Sequence, residues 1–181
     1  MVASCSKGKR VLNLFAYTCS FSIHAAAAGS LYTKSVDMSN TYTAWGRENF
    51  LLNNLPLKNN EIVRADCLTF LKEEVRTQAR YDIIIIDPPT ISRSKKMTEM
   101  FDVQKDYIFL IEHALRLLAP GGVIFFSTNS RKFELDESLF PSCTIREMTE
   151  KTIPIDFHNK KIHRCWKLTD APGSISRLLP Q

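Results

Sequence analysis

No apolar run in this 181-residue chain approaches the length that crosses a bilayer, and no secretory-type apolar segment follows Met1. No membrane association is expected. The five cysteines, Cys5, Cys19, Cys67, Cys143 and Cys165, include no Cys-x-x-Cys pair and no grouping with zinc-ligand spacing. Reduced thiols in a cytoplasmic protein without a metal are the expectation. Internal repeats and low-complexity tracts are absent. Glycine is missing from Val11 to Ala28, the stretch that holds the first strand, its turn and the helix after it. A dinucleotide site needs Gly-x-Gly-x-x-Gly there, so that backbone amides can cradle a pyrophosphate. A nicotinamide-dependent oxidoreductase is thereby disfavoured.

What is present is an ordinary globular balance of 44% apolar and 24% charged residues, enough for one domain with a full core. The net charge of +5 and pI near 9.0 are compatible with an anionic partner, and equally with a solvated basic surface. Short strands are expected at residues 11–15, 31–36, 61–64, 81–86 and 123–127, that of 81–86 with the unbroken apolar run Ile83–Ile86. Helices are expected around residues 24–28 and over 41–52, 68–76 and 103–118, the last with Tyr107, Leu110, Ile111, Ala114, Leu115 and Leu118 at helical spacing. A short helix is expected over 135–140, and two closing strands over 143–155 and 162–169 form an antiparallel hairpin. Strict alternation of strand and helix gives an α/β, doubly wound, mostly parallel sheet. The first strand begins almost at Met1, so a fragment of a longer protein is expected, with further parts upstream.

Ligands of such sheets bind at the carboxyl ends of the strands. Asp37, Asp66 and Asp87 each end one. Asp37 stands where an acid takes a ribose diol, and Asp66 where a carboxylate can accept from an adenine amino group. Any one of these acids alone reads as a helix N-cap, but three on successive strand ends favour an adenosine site. With no glycine in the first turn, a cofactor without phosphates fits, such as S-adenosylmethionine.

The segments "VLNLFAYTCSFSIHAAAAG", "VDMSNTYTAWGRENFLLN", "ADCLTFL", "DIIIIDPPTISRSKKM", "FDVQKDY" and "LLAPGGVIFFSTNSRKF" occur in that order. Together they resemble the class I S-adenosylmethionine-dependent RNA methyltransferases. Among these the chain is most similar to the N7-guanine (RlmK-like) half of the bifunctional large-subunit (23S) ribosomal RNA methyltransferase. The resemblance implies a Rossmann-like seven-stranded sheet with a reversed last strand. It also implies that Asp37 holds the ribose, with Met38 and Ser39 next to it in the cofactor site, and that Asp66 with its neighbour Cys67 meets adenine. The turn of Phe15, Tyr17, Thr18, Cys19 and Ser20 wraps the methionine part, with Cys19 standing where glycine is usual. S-adenosylhomocysteine would be the product.

Asp87, Pro88 and Pro89 are the expected catalytic residues. An acid and two prolines after the fourth strand mark nitrogen methylation. Asp87 and the Pro88 carbonyl can accept the N–H bonds of an exocyclic amine, but Thr90 replaces the aromatic residue that often stacks on adenine. Pyrimidine C5 transfer needs a cysteine nucleophile, and neither "DPPT" nor "FSTNS" supplies one. Guanine N7 has an in-plane lone pair and needs no base. Residue chemistry leaves N7 and exocyclic N2 open, and the resemblance favours N7. Ribosomal RNA is the expected partner. Its backbone would meet Arg93, Lys95 and Lys96, then Arg131 and Lys132, then Lys160, Lys161, His163 and Arg164. Phe101, Phe133 and Phe157 are candidate stacking faces, Phe133 and Phe157 foremost because polar residues flank them, while Tyr107 is expected in the core. A non-catalytic RNA- or cofactor-binding module is the alternative class.

Overall fold

The computed structural model describes residues 1–92, 100–153 and 163–171. In chain order the elements are α1 (Val2–Cys5), β1 (Arg10–Leu14), α2 (Ser20–Ala27), β2 (Tyr32–Asp37), α3 (Asn40–Leu52), β3 (Asn60–Arg64), α4 (Cys67–Arg76) and β4 (Tyr81–Ile86). There follow β5 (Ile91–Ser92), β6 (Phe101–Asp102), α5 (Val103–Leu117), β7 (Leu118–Thr128), β8 (Cys143–Glu147), α6 (Thr149–Thr152) and β9 (Arg164–Asp170). Seven strands form one sheet in the order β3-β2-β1-β4-β7-β9-β8. The first five are parallel, and β9 runs antiparallel to both β7 and β8. The reversed strand implied by the resemblance is β9.

Strand β4 sits at the centre because its isoleucines serve both faces. Ile84 and Ile86 pack with α4 and α5 in the larger core, and Ile83 and Ile85 pack with Val11, Ala25 and Phe125 under α2. A strand buried on both sides tolerates no polar alternation. Helix α5 follows the expected period, burying Tyr107, Leu110, Ile111, Ala114 and Leu117. Asp102 caps it by accepting from the Gln104 N–H at 2.9 Å, and Asp106 accepts from the Asp102 N–H at 2.8 Å.

Three expectations change. The first closing strand ends at Glu147, and α6 takes up Thr149–Thr152. The Thr149 hydroxyl accepts the Cys165 N–H at 3.0 Å, so a side chain ends the ladder that backbone would have continued. Within 135–140 only Glu137–Leu139 is helical, as one 3₁₀ turn. The Pro120–Gly122 turn lies inside β7 as an irregularity, since the register jumps from Tyr81↔Leu118 to Ile83↔Val123. Gly122 fits there because a Cβ would come within 3.0 Å of the Asp82 carbonyl oxygen.

Candidate active site

The carboxyl edge of the sheet begins with the turn after β1. Phe15, Tyr17 and Cys19 all adopt positive φ, at 56°, 48° and 66°. This is the left-handed backbone that glycine takes without strain, and each such non-glycine residue costs about 1–2 kcal/mol. The turn is held against that strain by its amides. Phe15 N–H donates to Cys67 Sγ at 3.2 Å, and Ala16 N–H to the Val36 carbonyl at 2.9 Å. Tyr17 N–H donates to Asp37 Oδ2 at 2.9 Å, and Cys19 N–H to the Ala16 carbonyl at 2.7 Å. Four amides are thus consumed within the protein. They cannot cradle a pyrophosphate, which agrees with the missing glycines.

Asp37 is not a helix cap. Its Oδ1 accepts the Ser39 N–H at 2.8 Å while Oδ2 holds Tyr17, and Ser39 caps α3 by accepting from Tyr42 N–H at 3.2 Å. Asp66 does cap α4, accepting from Thr69 N–H at 2.8 Å. Beside it Cys67 is buried, its thiol tied to Phe15 and to the Val36 carbonyl, and burial pushes its ionisation well above the ordinary thiol range. It ties the β1 turn to the end of β2 and also borders the cleft at this edge.

These residues border a cleft of about 430 Å³. Asp37, Met38, Ser39 and Asp66 form one side, and Asp87, Pro88 and Pro89 the other. Phe15 and Phe101 close it, their ring centroids 5.4 Å apart. Tyr17 and Tyr42 pack edge to face at 4.3 Å on its rim. Tyr42, Ser92 and Asn129 line the cleft with no motif in the sequence to mark them, and Phe101, a candidate for stacking on RNA, lines it as well. Phe101 arrives there because β5 and β6 form a small hairpin, with Val103 N–H donating to the Thr90 carbonyl at 3.1 Å. That hairpin brings the DPPT and FDVQ segments together.

Thr18, Cys19 and Ser20 stand outside the set of residues that border the cleft. Cys19 is 1% exposed and turned against α3, where a Cβ on Gly46 would meet its Sγ at 2.6 Å. Burial raises its thiol as well. The cysteine occupies a glycine-type backbone position, and Gly46 makes room for it.

Asp87 ends β4, and its Oδ1 accepts the Ser127 hydroxyl proton at 2.6 Å. It borders the cofactor-sized cleft and also a second cavity of about 480 Å³ on the α2 side of the sheet. Asn129, just past β7, borders both cavities too. Cys165 pairs with Ser127 across β7 and β9 and lines the second cavity. Burial, then the charges of Asp87 and Glu147, push its thiol up to about 11. It is therefore protonated at neutral pH and unsuited to nucleophilic attack.

Among the expected RNA contacts, Arg131 and Lys132 are exposed beyond the end of β7. Phe133 is a correction. It is 1% exposed, packed against Tyr107, Phe126 and Trp166, and has no face to offer a base. Arg164 stands at the right edge, opposite Thr128, but its guanidinium is committed. It pairs with Glu147 at 2.9 Å, donates to the Phe133 carbonyl at 2.8 Å and lies over the Trp166 ring. Arg93, Lys95, Lys96, Phe157, Lys160 and Lys161 lie outside the described residues.

A family of S-adenosylmethionine-dependent methyltransferases matches residues 1–160. Ribosomal RNA large subunit methyltransferase K of Neisseria meningitidis is 42% identical over 167 residues, covering 92% of this chain and 47% of its own. Ribosomal RNA large subunit methyltransferase K/L of a Shewanella species is 46% identical over 175 residues, covering 94% of this chain and 24% of its own. The chain thus spans about half, or a quarter, of the length of these relatives. Among solved structures, SMU.776 in complex with SAH superposes with a TM-score of 0.74 at 30% identity, over 92% of this chain and 47% of that one. Three strand-end acids around a cleft with no phosphate cradle fit the cofactor these matches imply, and the chain belongs to the S-adenosylmethionine-dependent methyltransferase family.

Proposed function

We propose that this chain is the methyltransferase domain of an enzyme that modifies guanine N7 in large-subunit ribosomal RNA. The observation that carries the reading is the place of Asp87, one carboxylate shared by two cavities. Bound in the cleft, S-adenosylmethionine supplies an electrophilic methyl group on a sulfonium. Asp37 would hold the ribose hydroxyls, with Met38 and Asp66 beside the adenine and Phe15 and Phe101 as walls. Transfer is an in-line displacement, so the protein's main work is alignment. Guanine N7 has no proton to lose, and methylation leaves the base cationic. Asp87, held by Ser127, favours that charge electrostatically. Cys165 stays protonated, which argues against the covalent route to pyrimidine C5.

The relatives named for large-subunit ribosomal RNA support the substrate class. Exocyclic N2 of guanine is the second reading, since the same carboxylate can accept an amine N–H. The test is incubation with methyl-labelled cofactor and unmodified ribosomal RNA, followed by digestion and identification of the labelled base. Label in 7-methylguanine is expected; label at N2 replaces the target atom, and label in adenine or a pyrimidine overturns the reading. An Asp87→Ala variant that methylates like the wild type would overturn the role given to Asp87.

A further inference from the structure

Asp87 and Asn129 stand at the junction of the two cavities, and the far wall of the second belongs to α6 and β9. Thr152 and His163 lie on that wall, 2.7 Å apart between Oγ1 and Nε2. The Thr152 hydroxyl also donates to the Thr149 carbonyl at 2.8 Å. A hydroxyl has one proton to give. With that proton on the Thr149 carbonyl, the Thr152 oxygen is an acceptor toward His163, so Nε2 carries the hydrogen. With Nε2 as the donor, the imidazole presents Nδ1 as its acceptor. The sequence places His163 among basic residues, whereas the structure sets its ring beside the Thr152 hydroxyl on the wall of this cavity.

A guanine has two unlike edges. N7 and O6 accept on one side, and N1–H and N2–H donate on the other. If N7 is turned to the cofactor cleft, the donor edge must point away from Asp87, across the second cavity. We infer that the second cavity receives the acceptor guanine and that His163, set by Thr152, accepts from its donor edge. This rests on the guanine reading above. Phe125 and Ile85 supply an apolar floor, and exposed Lys151 at the same cavity suits the phosphate of the nucleotide being held. The side chain of Asn129 can donate to O6 at the junction. His163 is thus a specificity-determining residue, and an adenine, which has an acceptor at N1, would face Nδ1 with a repulsive pair of lone pairs.

The test has two arms on the whole chain. In the first, His163→Leu and His163→Asn are assayed for methyl transfer to unmodified ribosomal RNA and for S-adenosylhomocysteine affinity by calorimetry. Loss of the acceptor in His163→Leu is expected to lower kcat/KM roughly tenfold or more. The homocysteine-cofactor affinity should stay within about twofold, and His163→Asn, which keeps an acceptor near Nδ1, should recover most of the activity. Full activity in His163→Leu overturns the inference, as does an equal loss of cofactor affinity or a failure of Asn to rescue. The second arm needs no methylation. Guanosine and adenosine 5′-monophosphates are titrated into the S-adenosylhomocysteine complex, and the His163 and Thr152 side-chain resonances are followed by NMR. Perturbation by the guanine nucleotide and not the adenine one is expected. No perturbation at these residues overturns the inference, even if the first arm finds the enzyme methylating guanine. A wild type that labels another base while guanosine monophosphate still perturbs His163 faults the target assignment and leaves the binding site standing.

Discussion

Asp37 holds two backbone amides with one carboxylate, Tyr17 N–H through Oδ2 and Ser39 N–H through Oδ1. Each oxygen retains a lone pair that a ribose diol can use. Asp37→Asn would turn one acceptor into a donor facing an N–H. Hydrogen bonds to charged groups contribute about 1.5–3 kcal/mol, so S-adenosylhomocysteine affinity should fall roughly tenfold to a hundredfold, read by calorimetry. Wild-type affinity in this variant would remove Asp37 from the cofactor site. Cys165 supports a pH prediction. Its thiol ionises near 11 in the fold, against about 9 in the unfolded chain. Above pH 9 the unfolded chain sheds a proton that the fold retains, so unfolding gains. The stability is therefore complete below pH 9 and is lost as pH rises toward 11. Cys67 acts in the same direction. Cys165→Ala should show a smaller drop in urea midpoint between pH 8 and pH 10.5 than the wild type does.

The element whose geometry matters most is the turn after β1, where three non-glycine residues take left-handed backbone. Cys19 fits only because α3 carries Gly46 opposite its sulfur. Gly46→Ala should therefore destabilise by about 1–3 kcal/mol, although alanine is the better helix former by about 1 kcal/mol. Cys19→Gly relieves the backbone strain but leaves a void. Combined, the two changes fill the void and remove the clash, so the double variant should be more stable than the sum of the singles, by urea denaturation. Additive effects would disprove the pairing. This pairing was not legible in the sequence, because nothing local links residue 19 to residue 46. Helix α5 was legible, since its apolar period reports the face it buries. So was β4, whose unbroken isoleucines require cover on both sides. Phe133 misled because Arg131, Lys132 and Glu134 surround it in sequence, while its own ring turns inward onto Trp166. Phe101 was missed as a cleft wall because the β5–β6 hairpin that carries it is only two residues a side. Asp87 stands out in sequence because it ends an apolar run, whereas Asp37 and Asp66 stand at or just past the ends of strands that carry Lys34 and Arg64 and are marked only by that place.

Across the whole molecule the sheet separates chemistry from reinforcement. The carboxyl edge carries the cleft, while a polar cluster supports the other half. Lys34 donates to Glu74 at 3.0 Å and lies 3.5 Å from Glu61. The Tyr81 hydroxyl also donates to Glu74, and the Tyr32 hydroxyl to Glu61. Burial and these carboxylates push both phenols far up, so both stay protonated as donors. Arg10 lies 5.0 Å from the Tyr32 ring centre, and its N–H donates to Asp82 at 2.8 Å. Glu74 is the hub, with its side chain 9% exposed and that of Lys34 15%. Removing one partner of such a pair strands the other, at a cost of about 3–5 kcal/mol. Glu74→Ala should lower the thermal midpoint sharply, whereas Glu74→Gln, which keeps an acceptor for Tyr81, should lower it less. Neither change touches the cleft, so S-adenosylhomocysteine affinity of the folded variants, measured well below their midpoints, should match the wild type. A matched loss of affinity would mean that the two edges are coupled through β2, which runs from Tyr32 to Asp37.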